Sequence, residues 1–100
     1  MMSNLRLDDA AIDQRLRALD GWRRDADDTQ RIVKTYRFAD HYQTLAFVNA
    51  VAWISHRQDH HPDLTVGYNQ CTVAYTTHSA GGLSDKDFLC AAKVDALFAA

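Results

Sequence analysis

The segment 59-DHHPDLTVGYNQCTVAYTTH-78 sets the order of the fold, because it stops a helix and then opens a β-hairpin. Pro62 lacks a backbone N–H and disfavours a helical conformation at His61, so a helix upstream must finish at or before the paired histidines. Residues 65–66 and 71–77 are β-branched, aromatic or small, a composition that favours strands. The sequence 67-GYNQ-70 supplies the reversal between them. We therefore predict a helix end followed by an antiparallel hairpin.

The later strand of this hairpin has an apolar and a polar face, because successive side chains of a strand point to opposite sides of the sheet. This alternation predicts that His78 lies on the more polar face. The apolar face carries Cys71, Val73, Tyr75 and Thr77, and the polar face carries Thr72, Ala74, Thr76 and His78.

Upstream of this segment the sequence predicts a short helix and another hairpin. Asp8 or Asp9 is suited to cap the helix, and Gly21 is suited to end it. Residues 22–25 and 31–38 then read as two strands joined through an acidic turn. The apolar stripe of the helix comprises Ile12, Leu16 and Leu19.

Two capping signals predict the remaining helices. Asp40 with Gln43, and Ser84 with Asp87, have the spacing of a capping box. The apolar positions of the long helix are Leu45, Ala46, Val48, Val51, Ala52 and Ile54, and those of the last helix are Phe88, Ala91, Ala92, Val94 and Leu97.

The predicted element order is αββαββα. Consecutive strands joined by short turns favour an antiparallel sheet, so we predict an α+β two-layer sandwich with a four-stranded antiparallel sheet and three helices on one face. Residues 1–100 are expected to form a single domain, since a chain of 100 residues is long enough for one core and too short for two.

Composition narrows the classes of function. A net charge of −2 and a pI near 6.1 argue against a nucleic-acid binder. No apolar run approaches the roughly 20 residues that cross a bilayer, and residues 1–6 lack the apolar stretch of a signal peptide, so the cytoplasm is the expected location. Cys71 and Cys90 are isolated, and we expect two small buried thiols without a disulfide.

Three of the five histidines, His60, His61 and His78, flank the predicted hairpin. Imidazole titrates closer to neutrality than other side chains, with a reference pKa of about 6.5. Several imidazoles that converge on one ligand can therefore both donate and accept protons. We expect these three side chains to form a site of acid-base chemistry.

The His-His-Pro segment, the aromatic Tyr68 six positions after Pro62, the Thr77-His78 pair and Asp87 nine positions after His78 together resemble the pterin-4a-carbinolamine dehydratase family. The resemblance implies the dehydration of 4a-hydroxytetrahydropterin to quinonoid dihydropterin. It also implies that no metal or organic cofactor takes part. In the family such chains assemble as homodimers or homotetramers and recycle the pterin of an aromatic amino acid hydroxylase.

The resemblance also implies roles for individual residues. His60, His61 and His78 are the expected catalytic residues, with His60 and His78 as the acid-base pair and His61 mainly orienting the pterin. Further side chains are expected to bind substrate or to support the histidines from behind. The expected substrate-binding set is His61, Asp59, Pro62, Thr77 and Ser79, and the supporting set is His56, Asp63 and Asp87.

Two positions depart from the family pattern. His56, four residues before His60, stands where relatives commonly carry an acidic residue, and it cannot supply a negative charge. Leu64 stands where many relatives carry a bulky aromatic residue. Because of the departure at His56, a protein that keeps the fold but has little dehydratase activity remains an alternative.

Other readings compete with the enzymatic one. His56 and His60 have the spacing of two zinc-binding imidazoles on one helix, but Arg57 occupies the position of the general-base Glu. An amphipathic long helix also suits a protein-interaction module, such as the coactivators among the relatives. Tyr68 and Tyr75 are expected to pack in the interior, and His41 is expected to be a solvated surface residue.

Overall fold

The computed structural model describes residues 5–98, so residues 1–4, which contain most of the N-terminal stretch considered above, and residues 99–100 lie outside it. Helices and strands follow one another in the predicted order, αββαββα. The elements are α1 (Asp9–Arg17), β1 (Arg23–Arg24), β2 (Ile32–Arg37), α2 (His41–Gln58), β3 (Asp63–Val66), β4 (Gln70–Tyr75) and α3 (Asp85–Ala96).

The four strands form one antiparallel sheet in the order β1-β2-β4-β3. β4 is therefore a central strand, and it pairs with β2 from Tyr75 opposite Ile32 to Gln70 opposite Arg37. α2 connects the first predicted hairpin to the second. Because β2 pairs with β4, the two hairpins lie side by side in the sheet. The three helices pack against one face of this sheet, and the predicted α+β class is confirmed.

The core lies between this sheet face and the helices. Strand β4 contributes its predicted apolar face, since Cys71, Val73 and Tyr75 are all fully buried. Burying each large side chain contributes roughly 1.5–3 kcal/mol to folding. The other members of this buried core cluster are Ile12, Trp22, Ile32, Tyr36, Phe47, Val51, Leu83, Phe88, Cys90, Ala91 and Val94.

The buried stripe of α2 differs from the predicted one. Thr44, Phe47, Val51 and Ser55 face the core, whereas the predicted Leu45, Ala46 and Ala52 are exposed. The two polar residues can be buried because each hydroxyl donates to a backbone carbonyl one turn earlier, at 2.9 Å for Thr44 and 3.0 Å for Ser55. The prediction failed because it selected positions by apolar character alone.

The helix starts are close to those predicted. Asp8 caps α1 by accepting from the amide of Ala11 at 2.8 Å. Asp40 caps α2, but the side chain of Gln43 accepts from the amide of Ala39 rather than that of Asp40, so the predicted box is displaced by one residue. The box of Ser84 and Asp87 at α3 forms in full.

Three smaller predictions are corrected. α1 ends at Arg17, and Gly21 instead adopts a φ of 82° in the turn that leads to β1. His41 is not simply solvated, because its Nδ1 lies 2.8 Å from the carbonyl oxygen of Tyr68 and the two rings stack. Tyr68 is 68% exposed, so it covers the start of α2 from outside rather than packing in the core.

Asp95 joins the end of α3 to the sheet. Its carboxylate accepts from Trp22 Nε1 at 3.1 Å, pairs with Lys34 Nζ at 2.9 Å and accepts from the hydroxyl of Tyr36. Burial, with the hydrogen bond to this carboxylate, raises the pKa of Tyr36 well above its usual value. The phenol therefore keeps its proton, and with it the hydrogen bond to Asp95, to higher pH than an exposed tyrosine.

Stability should fall at alkaline pH because of a buried thiol. Burial raises the pKa of Cys90 from 9.0 to about 11, and the charge of Asp87 adds to the effect. The unfolded thiol ionises first, so its contribution is complete below pH 9 and is lost as pH rises through 11. Between pH 9 and 11 the free energy of unfolding, measured with urea, should fall by on the order of 2 kcal/mol more in wild type than in Cys90→Ala. Parallel pH profiles of the two proteins in reducing buffer would contradict it.

Candidate active site

A polar cavity of about 260 Å³ lies between the end of α2, the turn after β4 and the start of α3. It brings together all three histidines that flank the hairpin, although 17 positions separate His61 from His78. The lining residues are Asp59, His60, His61, Thr76, Thr77, His78, Ser79 and Lys86.

The end of α2 places the first two histidines. The helix ends at Gln58, and Asp59 adopts the left-handed conformation with φ 49° and ψ 45°. The amides of Asp59 and His60 both donate to the carbonyl of Ser55, which satisfies an otherwise free helical acceptor. The chain therefore turns sharply away from the helix axis, and His60 and His61 follow this turn.

His78 does not lie on the strand where the alternation placed it. β4 ends at Tyr75, and His78–Ala80 forms a single 3-10 turn. Two backbone bonds between Thr77 and Gly82, at 3.1 and 3.3 Å, close this loop, and Gly81 takes a φ of 72° within it. The period of two stops where this loop begins, so His78 is exposed at the rim of the cavity.

The side chain of His60 is fixed by a buried carboxylate. Asp87 is fully buried, and its Oδ1 lies 2.6 Å from His60 Nε2. The carboxylate oxygen Oδ2 accepts from the hydroxyl of Thr77 at 2.8 Å and from the amide of Ser84 at 2.9 Å. A carboxylate oxygen accepts, so Nε2 is the nitrogen of His60 that donates in this contact, and Nδ1 is the other ring nitrogen.

The ring of Tyr75 supports His60 from behind. The two rings stack with centroids 5.6 Å apart and planes 11° from parallel. Burial raises the pKa of the Tyr75 phenol, which keeps this support uncharged. With Tyr75 on one side and Asp87 at Nε2, the side chain of His60 retains only 11% of its exposure, whereas His61 and His78 are exposed.

Some of the remaining predicted site residues lie at the cavity, and others lie away from it. Asp59, Thr77 and Ser79 line the cavity, Asp87 contacts His60, and Pro62 is not among the lining residues. Asp63 lies in β3 and approaches Arg31 at 3.6 Å. His56 is exposed on α2 with its ring 5.6 Å from that of Trp53.

His56 and His60 do not share a helix face, because α2 ends at Gln58 and the left-handed Asp59 breaks the helical period between them. Within residues 5–98 no group of three His, Cys, Asp or Glu side chains is arranged to hold a metal ion. Over the same residues no helix combines the length and the apolar character needed to cross a bilayer.

Sequence reasoning missed two lining residues, Thr76 and Lys86. Thr76 lies just beyond the end of β4, and Lys86 lies in the first turn of α3 beside Asp87. The capping box of Ser84 and Asp87 could have pointed to Lys86, because it fixes where α3 begins. Once the box anchors this helix start to His60, Lys86 must lie near the same cavity.

Fold and cavity together define a small α+β protein in which three histidines meet at one polar cavity, and in which a buried carboxylate and an aromatic ring hold His60 in place. A family model described as pterin 4 alpha carbinolamine dehydratase matches residues 5–97. The chain belongs to this family of hydro-lyases.

Individual relatives support the assignment. A Nitrosospira multiformis protein named for pterin-4-alpha-carbinolamine dehydratase is 62% identical over 87 residues, which is 87% of this chain and 74% of that protein. A Brucella melitensis crystal structure, titled transcriptional coactivator/pterin dehydratase, superposes with a TM-score of 0.87 at 32% identity and covers 92% of this chain and 97% of the other. A pterin dehydratase-like RuBisCO assembly factor of the alpha-carboxysome reaches a TM-score of 0.60 at 25% identity, over 70% of this chain and 81% of its own.

The buried carboxylate should be important for stability. Asp87→Asn removes the charge and turns one acceptor into a donor, so one of its three donors loses its acceptor. We expect a loss of about 1.5–3 kcal/mol in the free energy of unfolding, measured with urea.

Asp85→Asn is the matched control from the same helical turn. Asp85 pairs with Arg15 at 2.8 Å but is partly exposed, so its loss should cost less than about 1 kcal/mol. Equal losses in the two variants would contradict a special role for Asp87.

Proposed function

We propose that this protein dehydrates 4a-hydroxytetrahydropterin to quinonoid dihydropterin. The observation that carries the proposal is the convergence of His60, His61 and His78 on one cavity, in a chain whose family is defined by this reaction. The cavity volume of about 260 Å³ suits a bicyclic ring that remains partly open to solvent.

The reaction needs one proton donor and one acceptor. The bond between C4a and the hydroxyl oxygen breaks as that oxygen takes up a proton and leaves as water. The proton on N5 is removed, and the electron pair left on N5 completes the double bond to C4a. Protons balance and no electrons are exchanged, so the reaction requires no redox cofactor, and we propose that the imidazoles alone carry the protons.

The contact with Asp87 favours His60 as the base that accepts the N5 proton. With Nε2 donating to Asp87, Nδ1 is the ring nitrogen that accepts the N5 proton, and the carboxylate stabilises the imidazolium that forms. His78 is exposed at the rim and can exchange protons with water, which suits the acid that protonates the leaving hydroxyl. His61 then binds and orients the ring.

The remaining lining residues suit the rest of the pterin. The pyrimidine edge of the ring carries donors at N3 and the 2-amino group, and the carboxylate of Asp59, which lines the cavity, can accept from them. Thr77 and Ser79 add hydroxyls. In the cell we place the reaction in the cytoplasm, in the recycling of a pterin used by an aromatic amino acid hydroxylase.

Replacing either proposed proton carrier should slow turnover. His60→Gln and His78→Gln should each lower the rate of quinonoid dihydropterin formation from freshly generated 4a-carbinolamine by roughly 100-fold to 10,000-fold. His41→Gln is the control, because His41 lies at the opposite end of α2. Wild-type rates no faster than buffer between pH 6 and 9, or unchanged rates in both variants, would remove the proposal.

A protein-interaction module is the second candidate function. One observation favours it: α2 exposes Tyr42, Leu45 and Trp53, with Trp53 59% exposed. Two structural neighbours are named for interaction functions, one as a transcriptional coactivator/pterin dehydratase and the other as a RuBisCO assembly factor. The same face could instead be covered by a second copy, as in the homodimer or homotetramer that we propose.

Sedimentation analysis distinguishes a second copy of the chain from a different protein as the partner that covers the exposed face of α2. For the proposed homodimer or homotetramer we expect a mass two or four times 11.3 kDa, and a shift toward the monomer in Trp53→Glu. Gln14→Glu on the exposed side of α1 is the control and should leave the mass unchanged. A wild-type mass of 11.3 kDa would contradict the homo-oligomer and favour the interaction module.

A further inference from the structure

The imidazole of His60 is contacted on its face as well as at its edge. The ring of Tyr75 stacks on it, with centroids 5.6 Å apart and planes 11° from parallel, and Asp87 Oδ1 lies 2.6 Å from Nε2. The amide of His60 also donates to the carbonyl of Ser55 at 3.2 Å. The backbone, one edge and one face of this residue are therefore all held by other parts of the chain.

The ring of Tyr75 is itself firmly held. Tyr75 is the last residue of β4, is fully buried and pairs with Ile32 on the neighbouring strand β2. Its ring also contacts that of Trp22, with centroids 6.2 Å apart, and Trp22 Nε1 donates to Asp95 at 3.1 Å. Close packing leaves a buried ring little room to move, so the core determines the plane against which His60 lies.

The contact with Asp87 alone does not fix the imidazole of His60. The backbone holds Cβ and the carboxylate holds Nε2, so the ring can still rotate about the line through these two atoms. The parallel ring of Tyr75 prevents this rotation, because a tilted imidazole would collide with it. Nε2 and the plane of the ring together determine where Nδ1 points, and Nδ1 is the atom that accepts the N5 proton in the proposed function.

The other two histidines of the cavity are not held in this way. His61 and His78 are exposed, and among residues 5–98 no aromatic ring stacks on either of them. The stacked ring is thus specific to the histidine to which the proposed function assigns the base.

The aromatic ring of Tyr75, and not its hydroxyl, makes the contact with His60. The hydroxyl is buried and has no hydrogen-bond partner among residues 5–98. A buried hydroxyl without a partner lowers stability, so the packing of the core gives no reason to prefer tyrosine over phenylalanine here. A phenylalanine ring in the same place would present the same face to His60.

We infer that Tyr75 is a positioning residue, whose ring directs His60 Nδ1 at the proton that it removes. The effect on rate rests on the proposed function, whereas the effect on the imidazole requires no substrate. Proton transfer is fast only when the acceptor is correctly placed and oriented. Loss of the ring should therefore slow the chemical step, while the other lining residues continue to bind the substrate.

Steady-state kinetics with freshly generated 4a-carbinolamine test the effect on rate. Tyr75→Leu should lower kcat by about 10-fold to 100-fold and change KM by less than about twofold, because a misplaced base slows the chemical step and leaves binding intact. Tyr75→Phe keeps the ring and should retain kcat to within about twofold of wild type. An unchanged kcat in Tyr75→Leu, or an equal loss in Tyr75→Phe, would overturn the inference.

Ile32→Val is the matched control for a general loosening of the core. Ile32 is fully buried and lies directly opposite Tyr75 in the sheet, but it has no ring to present to His60. This variant should keep both kcat and KM. A loss of kcat as large as that in Tyr75→Leu would show that packing, and not the stacked ring, controls the rate.

Nuclear magnetic resonance of the protein without substrate tests the positioning itself. In wild type and in Tyr75→Phe, the proton on His60 Nε2 should exchange slowly with water, because the bond to Asp87 is maintained. Tyr75→Leu should lose this protected resonance. Tyr75→Met fills the same space without a flat ring and should lose it too, so it serves as a second variant if the leucine variant does not fold. An unprotected Nε2 proton in wild type, or equal protection in the leucine or methionine variant, would contradict the inference.

The two measurements distinguish this inference from the proposed function. If wild type dehydrates the carbinolamine no faster than buffer, the proposed function is removed, and selective loss of the Nε2 resonance would still show that Tyr75 positions His60. If wild type accelerates dehydration and Tyr75→Leu does so equally well, only the inference about Tyr75 is overturned.

Discussion

The fully buried carboxylate of Asp87 holds together the parts of the molecule that form the site. It accepts from Ser84 at the start of α3, from Thr77 after the end of β4 and from His60 after the end of α2. These groups come from three separate places in the chain, and a buried charge is tolerated only when it is fully hydrogen-bonded. The carboxylate therefore fixes both where α3 begins and how the imidazole of His60 is oriented.

Much of the fold follows from local signals in the sequence. Pro62 after the paired histidines, the alternation in β4 and the caps at Asp8, Asp40 and Ser84 each act over a few residues, and each places an element close to where the structure has it. The errors arise where tertiary contacts override local character. Thr44 and Ser55 are buried in α2 because their hydroxyls find carbonyls, whereas Leu45 stays exposed.

The site was less accessible to such reasoning. The spacing of His60, His61, His78 and Asp87 resembles a known family closely enough to predict that these residues lie together. It does not predict that Asp87 bonds to His60 and to no other histidine of this set. Lys86 and Thr76 line the cavity without any motif of their own. His78 was placed on a strand because alternation gives no warning of a loop closed by Thr77 and Gly82.

The capping box of α3 has a consequence for tracing the history of such proteins. Asp87 is required by the helix start whether or not any chemistry takes place, whereas His61 and His78 are exposed and could be exchanged at little cost to folding. A related protein that lost enzymatic activity and acted as a scaffold would keep the aspartate, whereas its histidines would be free to change. Retention of this acid is thus a marker of ancestry, and under the proposed mechanism the rim histidines are the better marker of a working enzyme.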